Sequence, residues 1–440
     1  MDTIFALATP PGKSGVAVIR ISGPASKTVL EALCKAPAPA PRVAMLATLY
    51  DSDGHVIDKA LVMYFAAPHS FTGQEVVELH SHGSRAVLKE IYAALAAQQG
   101  LRVAEPGEFT RRAFLNGKMD LTAAEGIADL IDAETTAQKK QALRHMQGDA
   151  ARFFEELRSG IIHALAFLEA YIDFPDEDIP DSVHQEISDA IQNINKRITG
   201  QLAGSKAARN IRDGIFITIL GPPNVGKSSL MNHLAGRDVA IVSPTPGTTR
   251  DVIEVRLQIA GYCVILSDTA GIRDEAGDIE AEGIRRSHLR AKDADIKIVM
   301  VDKDSLHAKN AEALVDADTL LVINKADLPL PARLPVIKGV AAMEVSVKTG
   351  QGIDTLLAAL ENRISEFNQA EPSFATQVRH QHLLEEAQKH LVRFSEVNDS
   401  GIELQCEELR RAATEIGKIT GKIEVDELLG HIFASFCIGK

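Results

Sequence analysis

The residues with the clearest chemistry stand in a glycine-rich stretch near the middle of the chain. Residues 221–229 read GPPNVGKSS, a GxxxxGKS pattern that follows the β-branched run IFITIL and precedes the apolar run LMNHLAG. In this strand–loop–helix context the first glycine permits a tight turn, and backbone N–H groups surround phosphate oxygens. We therefore expect Lys227 to contact terminal phosphates and the Ser228 hydroxyl to bind Mg²⁺.

Two further segments have the residue types of loops that respond to a triphosphate. PTPGTTRD, at 244–251, supplies Thr249 as a second Mg²⁺ ligand, on a loop that should order with triphosphate and relax on hydrolysis. The DTAG motif ends an apolar strand, so Asp268 can bind Mg²⁺ through water and the Gly271 N–H can meet the γ-phosphate. The next residue is Ile272, where small signalling GTPases have a glutamine that orients water. An apolar side chain cannot do this, so another group must.

Two later motifs indicate which base is bound. NKAD, at 324–327, follows the apolar run TLLVI, and SVK stands at 346–348. The Asp327 carboxylate can accept hydrogen bonds from guanine N1–H and N2–H₂, a donor pair that adenine lacks. Backbone N–H groups of SVK can close over the base. Together the motifs predict a guanine-nucleotide site formed by Asn224, Val225, Gly226, Lys227, Ser228, Ser229, Ser243, Pro244, Thr245, Pro246, Gly247, Thr248, Thr249, Asp268, Thr269, Ala270, Gly271, Asn324, Lys325, Asp327, Ser346, Val347 and Lys348.

The composition indicates a cytosolic protein of two or three domains. The chain has 440 residues and a net charge of −13, which argues against non-specific coating of nucleic acid but leaves room for a local basic surface. No apolar run approaches the ~20 residues that span a bilayer, and the N-terminal apolar stretch is too short for a signal peptide. We expect a cytoplasmic location without membrane anchoring. The cysteines are scattered without a CxxC pair, as is typical of reduced thiols: Cys34, Cys263, Cys406 and Cys437.

The elements that must position these motifs follow from the apolar pattern. Residues 1–118 mix short β-type runs with turn signals and one amphipathic helix, which predicts an α+β domain. Helical spacing dominates 119–212 and returns over 366–440. Between them, strands alternate with helices over 213–365, the pattern and size of one α/β domain. We therefore predict a helical domain interrupted by an inserted α/β module.

Several motifs outside the α/β module carry a resemblance to a known family. The stretches SFTG, PGEFTRRAFLNGKMDLTAAEGIADLIDA, DFPDE and the terminal FCIGK resemble the MnmE (TrmE) family of tRNA-modification GTPases, in order and over essentially the whole chain. The resemblance implies a multi-domain α/β and α protein. Its parts would be an N-terminal α+β folate-binding domain like the glycine-cleavage T-protein, a discontinuous helical domain, and an inserted Ras-like P-loop G domain.

The same resemblance implies an activity, cofactors and partners. The family acts with an FAD-containing partner, MnmG (GidA), on tRNA, and forms a (carboxymethyl)aminomethyl group at C5 of the wobble uridine. The one-carbon unit comes from 5,10-methylene-tetrahydrofolate, for which 5-formyl-tetrahydrofolate is an analogue, and the amine comes from glycine or ammonium. GTP, Mg²⁺ and K⁺ are the expected ligands of the G domain, and two G domains dimerise, which implies a homodimer.

Further site residues follow from the resemblance by position. It implies a K⁺ site formed by Asn224, Ser243, Thr245 and Thr248. It assigns orientation of the attacking water to Glu280, which would supply what Ile272 lacks. Glu282 is the competing candidate, and Glu280 also fits a solvent-facing carboxylate at a helix start. K⁺ beside the phosphates would give the positive charge that an arginine finger gives elsewhere.

For folate, the matching positions are Arg20, Glu78, Lys118 and Lys440, each of which also fits an ordinary surface charge. The resemblance brings the Cys437 thiol within reach of that chemistry as a catalytic candidate, although a small buried residue would also pack well there. The HSH run at 80–82 indicates either a metal site or, in the absence of a third ligand, a polar strand end. Arg111, Arg112 and Lys118 fit either contacts with tRNA or the partner, or a solvated helix face.

Two other classes of function share some of these sequence features. A ribosome-assembly GTPase switch of the Era/EngA type shares the nucleotide motifs, but it should carry an appended RNA-binding module such as a KH domain, and no GxxG loop stands in such a context. A membrane-anchored signalling GTPase would use the terminal CIGK as a lipidation box. Lys440 is a poor last residue for prenylation, and Gly439 is not aliphatic.

Overall fold

The computed structural model describes residues 2–173, 181–236, 254–268, 294–303, 305, 309–329, 334–366, 373–397 and 401–423, with Leu429, Ile432, Phe433, Phe436 and Gly439. The chain forms two compact units. One comprises Met1–Ala128, His145–Ile162 and Ala413–Lys440, and the other comprises Asp129–Arg144 and His163–Ala412.

The strands are β1 (Thr3–Leu7), β2 (Ser14–Ser22), β3 (Met45–Tyr50), β4 (Val56–Phe65), β5 (Val76–Gly83), β6 (Leu101–Val103), β7 (Ile215–Leu220), β8 (Glu254–Ile259), β9 (Tyr262–Asp268), β10 (Ile296–Val301), β11 (Thr319–Ile323), β12 (Val336–Ile337) and β13 (Val340–Glu344). The helices are α1 (Ser26–Cys34), α2 (Arg85–Ala96), α3 (Glu108–Leu115), α4 (Leu121–Asp132), α5 (Thr136–Met146), α6 (Asp149–Asp173), α7 (Asp181–Asp213), α8 (Lys227–Ala235), α9 (Lys309–Leu314), α10 (Ile353–Glu366), α11 (Val378–Glu396) and α12 (Ile402–Thr420).

The first unit contains a six-stranded sheet in the order β3-β4-β5-β2-β1-β6. All neighbouring strands are antiparallel except β1 and β6. Successive side chains of a strand point to opposite faces. Ile19, Ile21 and Leu79 are therefore buried on the face covered by α1 and α2, whereas Arg20 and Glu78 lie on the other face. The short β-type runs predicted within residues 1–118 are confirmed as strands, among them β2, β4 and β5.

A buried ion network fixes the amino terminus of this unit against α3. The Glu108 carboxylate accepts hydrogen bonds from Arg102 at 2.6 Å and from Arg112 at 2.9 Å. Arg112 also donates to the Asp2 carboxylate at 2.7 Å. Only 10% of the Arg112 side chain is exposed. Arg112 is therefore neither on a solvated helix face nor accessible to tRNA, and both sequence-based interpretations of this residue are wrong. Arg111 is exposed.

The second unit contains a seven-stranded sheet in the order β12-β13-β11-β10-β7-β9-β8. The inner strands β13, β11, β10, β7 and β9 run parallel, and β12 and β8 pair antiparallel at the two edges. Strands that are buried on both faces read as continuous apolar runs, and β10 and β11 are of this kind. Ligands of open parallel sheets bind outside the carboxyl ends of the strands, so the ends of β7, β10 and β11 form the expected location.

The helical segment that precedes the strands of this sheet in the chain contacts the segment that follows them. Gln388 of α11 donates to the Thr199 hydroxyl of α7 at 2.8 Å. The Ser373 hydroxyl donates to the Gln201 carbonyl oxygen at 2.8 Å, and the Phe374 N–H donates to Gln201 Oε1 at 2.7 Å. The chain therefore returns to α7 after completing the sheet. None of the described helices combines the length and apolar character that a membrane crossing requires.

Candidate nucleotide-binding site

The loop between β7 and α8 has a backbone that only glycine permits at two positions. Gly221 has φ +146°, and a Cβ there would lie 2.1 Å from the Met300 carbonyl oxygen. Gly226 has φ +105°, and a Cβ there would lie 2.3 Å from Asn324 Nδ2. Left-handed backbone and this degree of crowding both exclude larger residues. The loop therefore closes directly against the ends of β10 and β11.

Lys227 begins α8, and its ammonium lies inside this loop. The residue is 7% exposed, and Nζ donates to the carbonyl oxygens of Gly221 and Pro222, each at 2.9 Å. The N–H groups at the start of a helix have no intrahelical partners and favour anions. A lysine ammonium beside such a helix start is suited to bind phosphate.

Asn324 joins three parts of the site through one buried amide. Its Nδ2 donates to the Val225 carbonyl oxygen at 2.7 Å, and its Oδ1 accepts the Val347 N–H at 3.1 Å. The residue is 5% exposed. Asn324 therefore links the glycine-rich loop to the SVK segment, and it follows β11 directly.

Asp327 presents a carboxylate at the base-binding end of the site. Its Oδ1 accepts a hydrogen bond from the Ser346 hydroxyl at 2.8 Å, and Lys348 Nζ lies 3.9 Å from Oδ2. The Ser346 hydrogen bond, with the Lys348 charge as a smaller contribution, lowers the pKa of Asp327 below its usual value. The carboxylate is therefore ionised at neutral pH, as an acceptor of two guanine N–H bonds must be.

Asn324, Asp327 and residues of the glycine-rich loop line a cavity of about 770 Å³, a volume within the range of small-molecule sites. It is lined by Asn224, Gly226, Ser229, Asn232, His233, Asn324, Lys325, Asp327, Leu328, Val347 and Lys348. The phosphate-binding loop and the Asp327 carboxylate thus border one cavity, which fits a guanine nucleotide.

Most of the predicted nucleotide residues that the structure describes lie at this cavity or in the loop that borders it. Asp268 ends β9 and pairs in register with Ile219 of β7, next to the loop. The remaining predicted site residues lie outside the described residues: Ser243, Pro244, Thr245, Pro246, Gly247, Thr248, Thr249, Thr269, Ala270, Gly271, Glu280, Cys437 and Lys440.

Three cavity residues were not predicted from the sequence. Asn232 and His233 follow Ser229 on α8 by three and four positions, so they share its helix face. Helical spacing from the GKSS motif was the signal for both. Leu328 directly follows NKAD, and no chemical pattern distinguishes it in the sequence.

Two of the proposed folate residues, Arg20 and Glu78, lie on the sheet face opposite α1 and α2. Arg20 of β2 and Glu78 of β5 are paired in register, and Arg20 donates to Glu78 Oε1 from Nε at 3.1 Å and from a terminal nitrogen at 3.0 Å. The Arg20 guanidinium lies 5.2 Å from the Phe71 ring centre. Lys118 donates to the Pro68 carbonyl oxygen at 3.0 Å. The structure therefore brings Arg20 and Glu78 together, and Lys118 contacts the chain segment that carries Phe71.

The two histidines of HSH have separate partners. His80 Nε2 lies 3.3 Å from Glu78 Oε2, whereas His82 Nδ1 lies 2.9 Å from Asp58 Oδ1. Among the described residues, the grouping with metal-ligand spacing is an exposed turn that contains neither histidine, formed by Asp51, Asp53 and His55. The polar strand end is therefore the interpretation that agrees with the structure.

A phosphate loop and an aspartate-bearing base pocket at the carboxyl edge of a parallel sheet define a P-loop GTPase. The family model of the MnmE helical domain matches residues 121–437, and that of the GTP-binding protein TrmE N-terminus matches residues 3–118. The chain belongs to the MnmE (TrmE) family.

Curated relatives match over the whole chain. The chain is 48% identical to the tRNA modification GTPase MnmE of Paramagnetospirillum magneticum and 48% identical to that of Parvibaculum lavamentivorans, each over 100% of both chains. Among solved structures, the chain is similar to the FeoB G-domain from Methanococcus jannaschii, with 24% sequence identity and coverage of 34% of this chain and 98% of that chain. Its TM-score is 0.26, too low for any conclusion about this chain.

Proposed function

We propose that the chain is a K⁺-stimulated GTPase that drives modification of the tRNA wobble uridine. Membership in the MnmE family makes it a GTP hydrolase that acts in tRNA modification. The observation that carries the nucleotide assignment is the cavity bordered by both the Lys227 loop and the Asp327 carboxylate. A site for guanine needs both features in one place.

The base assignment is tested by Asp327→Asn. The substitution replaces one carboxylate oxygen by an N–H donor, which faces a guanine N–H, and removes the negative charge from the other oxygen, so we expect GDP affinity to fall by about 10²- to 10⁴-fold. An asparagine N–H can instead donate to the O2 of xanthine, so affinity for xanthosine diphosphate should rise. Asp316→Asn, in the loop before β11 and outside the cavity, is the control. Unchanged GDP affinity in Asp327→Asn would remove Asp327 from base recognition.

We propose that Ser228 and Thr249 bind Mg²⁺, with Asp268 contacting it through water, and that Glu280 orients the attacking water. The assignment of Ser228 is supported by its position in the first turn of α8, directly after Lys227. Replacing Glu280 by alanine should lower GTP turnover by about 10²-fold or more while GTP affinity is retained. If GTP turnover falls in Glu282→Ala and is normal in Glu280→Ala, Glu282 rather than Glu280 orients the water.

We propose that K⁺ is bound by Asn224 together with Ser243, Thr245 and Thr248. Asn224 lines the cavity and has φ +60°, an uncommon backbone for a residue with a side chain. When bound, K⁺ adds positive charge beside the phosphates. GTP turnover should be faster in KCl than in NaCl at equal ionic strength, and Asn224→Ala should abolish the difference. Equal turnover of the unaltered chain in the two salts would contradict the site.

We propose the domain boundaries 1–118, 119–212, 213–365 and 366–440, with the G domain inserted into the helical domain and with a homodimer as the working form. The hydrogen bonds of Gln201 and Thr199 to residues beyond the sheet support the insertion. Sedimentation of the full chain with GTP analogue and K⁺ should report a dimer. A monomer under these conditions would contradict the proposed assembly.

We propose that the first unit binds a tetrahydrofolate through Arg20, Glu78, Lys118 and Lys440, with Cys437 near the cofactor. A pterin offers N–H donors that suit Glu78, and a glutamate tail suits lysine. Gly439 supports a role for the chain end, because a Cβ there would lie 2.1 Å from the Leu7 carbonyl oxygen of β1.

Binding of 5-formyl-tetrahydrofolate tests this site. Glu78→Gln should weaken binding by about tenfold or more, whereas Glu90→Gln, an exposed change on α2, should not. Equal affinity in the two variants would exclude Glu78.

Cys437→Ser should abolish tRNA modification while GTP turnover persists. Retained modification in this variant would remove the thiol from the chemistry.

We propose that the modification is carried out with MnmG (GidA), which supplies FAD, and that it places a (carboxymethyl)aminomethyl group at C5 of the wobble uridine. Nucleoside analysis of tRNA from a deletion strain tests the whole proposal. Loss of the modified uridine, restored by this chain, is the expected result. Normal wobble uridines in the deletion strain would refute the function.

A further inference from the structure

Asp302 lies at the carboxyl end of β10, between the strands that lead to the phosphate loop and to NKAD. β10 runs parallel to both β7 and β11. The Asn324 N–H donates to the carbonyl oxygen of Val301, the residue before Asp302, at 2.8 Å. Asp302 is therefore beside the nucleotide cavity, although no motif of the chain includes it.

Both carboxylate oxygens of Asp302 have hydrogen-bond partners. Oδ2 accepts from Lys325 Nζ at 2.6 Å. Oδ1 accepts from the Ser305 hydroxyl at 2.6 Å and from the Ser305 N–H at 3.1 Å, and the Ser305 hydroxyl in turn accepts the Asp302 N–H at 2.9 Å. The side chain of Asp302 is 13% exposed. The reciprocal pair with Ser305 fixes the orientation of the carboxylate that Lys325 contacts.

The Asp302 carboxylate is ionised over the physiological pH range. Burial opposes ionisation of Asp302, but hydrogen bonds from Lys325 and Ser305 lower its pKa to about 2. Lys325 itself has φ +65° and lines the cavity beside Asp327. A lysine ammonium released at this position would be attracted to the Asp327 carboxylate, which must remain available to guanine.

We propose that Asp302 is a positioning residue of the guanine site: it holds the Lys325 ammonium away from Asp327 and keeps the Lys325 alkyl chain along the cavity wall. The inference rests on the guanine-nucleotide site proposed above. Lys325 is the lysine of NKAD, and the motif alone does not show which residue orients its side chain.

The chain contains a matched control for this arrangement. Asp316 accepts a hydrogen bond from Lys297 Nζ and one from the Thr319 hydroxyl at 2.9 Å, and the Asp316 N–H donates to Thr319 Oγ1 at 3.0 Å. This is the same aspartate–lysine–hydroxyl arrangement. It lies at the amino ends of β10 and β11, the edge opposite the cavity.

The experiment measures GDP affinity of the full chain and of Asp302→Asn, Asp316→Asn, Lys325→Met and the Asp302→Asn/Lys325→Met double variant. Asp302→Asn should weaken GDP binding by about three- to tenfold, and Asp316→Asn should leave it unchanged. In the Lys325→Met background, Asp302→Asn should have no further effect, because its target is already absent. The salt dependence of GDP binding should also differ between Asp302→Asn and the unaltered chain.

Three results would overturn the inference: equal GDP affinity of Asp302→Asn and the unaltered chain, the same loss in Asp316→Asn, or an undiminished effect of Asp302→Asn in the Lys325→Met background. If Asp302→Asn does not fold, Ser305→Ala provides the measurement. That variant loosens the carboxylate but keeps its charge, so a loss of about two- to threefold is expected, and unchanged affinity contradicts the inference. Failure of the unaltered chain to bind GDP would instead refute the guanine site itself.

Discussion

Replacing Asn324 by alanine is the sharpest test of how the nucleotide site is assembled. The side chain is 5% exposed and makes two hydrogen bonds, to the Val225 carbonyl oxygen at 2.7 Å and from the Val347 N–H at 3.1 Å. Alanine removes both. Two lost hydrogen bonds cost about 1 kcal/mol each, and a buried carbonyl left without a partner adds about 1–3 kcal/mol. We expect a local destabilisation of about 3–5 kcal/mol, the larger part of it at the glycine-rich loop.

The full chain has more than one compact unit, so a single unfolding midpoint does not isolate this loss. Amide hydrogen exchange of the peptide spanning 221–235 does, because it reports opening of the loop and α8 directly. In Asn324→Ala, protection of this peptide should fall by about 150- to 5000-fold, the ratio that corresponds to about 3–5 kcal/mol. Peptides of the six-stranded sheet should keep their protection.

Asn324→Asp separates the two hydrogen bonds. An ionised aspartate still accepts from the Val347 N–H, but it sets a negative oxygen against the Val225 carbonyl oxygen where a donor stood. We expect the aspartate variant to be at least as destabilised as the alanine variant. Protection of 221–235 within threefold of the unaltered chain in both variants would refute the view that this amide holds the loop.

The remaining predictions concern buried titratable groups. In Glu108→Gln the first unit should lose about 2–4 kcal/mol of unfolding free energy, because Arg112 stays buried with the exposed Asp2 carboxylate in place of its buried partner; amide hydrogen exchange of peptides from the six-stranded sheet measures this. Burial alone would raise the pKa of Glu108, but hydrogen bonds from Arg102 and Arg112 lower it. Its stabilisation is therefore present above the unfolded pKa and lost as pH falls through the folded pKa, so Glu108→Gln should be the less acid-sensitive chain, and parallel pH profiles would contradict this. Burial raises the pKa of the Cys34 and Cys263 thiols to about 11, so iodoacetamide at pH 8 should modify both only after denaturation, as mass spectrometry would detect.

The parts of the site that were predictable from sequence are those in which one residue type is required by backbone geometry or by ligand chemistry. Gly226 and Lys227 are examples, since the left-handed backbone and the helix start occur wherever this loop is formed. Asp327 was predictable because guanine presents a donor pair that needs a carboxylate. In each case the residue type is required by the structure of a short segment alone, so the sequence of that segment is enough to predict it.

Residues that act through long-range contacts were not predictable in this way. Arg112 lies one helical turn after Glu108, a pair that helical spacing predicts, but only the fold brings Asp2, 110 positions away, to the same guanidinium. Asp302 is one of many aspartates that follow a strand, and its partner Lys325 is 23 positions away. Leu157 and Ile172 of α6 lie on the same helical spacing of apolar residues. Leu157 is fully buried but Ile172 is 40% exposed, because burial at a helix end depends on what covers it.

Several contacts between the site loops involve backbone groups. These contacts determine which positions of the site tolerate substitution. Gly221 closes against the Met300 carbonyl oxygen, Asn324 binds the Val225 carbonyl oxygen, and the Ala326 N–H donates to the Val345 carbonyl oxygen at 3.1 Å. Backbone partners do not change when their side chains do, so Met300 and Val345 can vary if their volume and apolar character are kept. Gly221 and Asn324 cannot, because they supply the space and the donor that the neighbouring backbone requires. Base selection should therefore be alterable at Asp327 without loss of the phosphate loop, whereas a change at Asn324 should impair both.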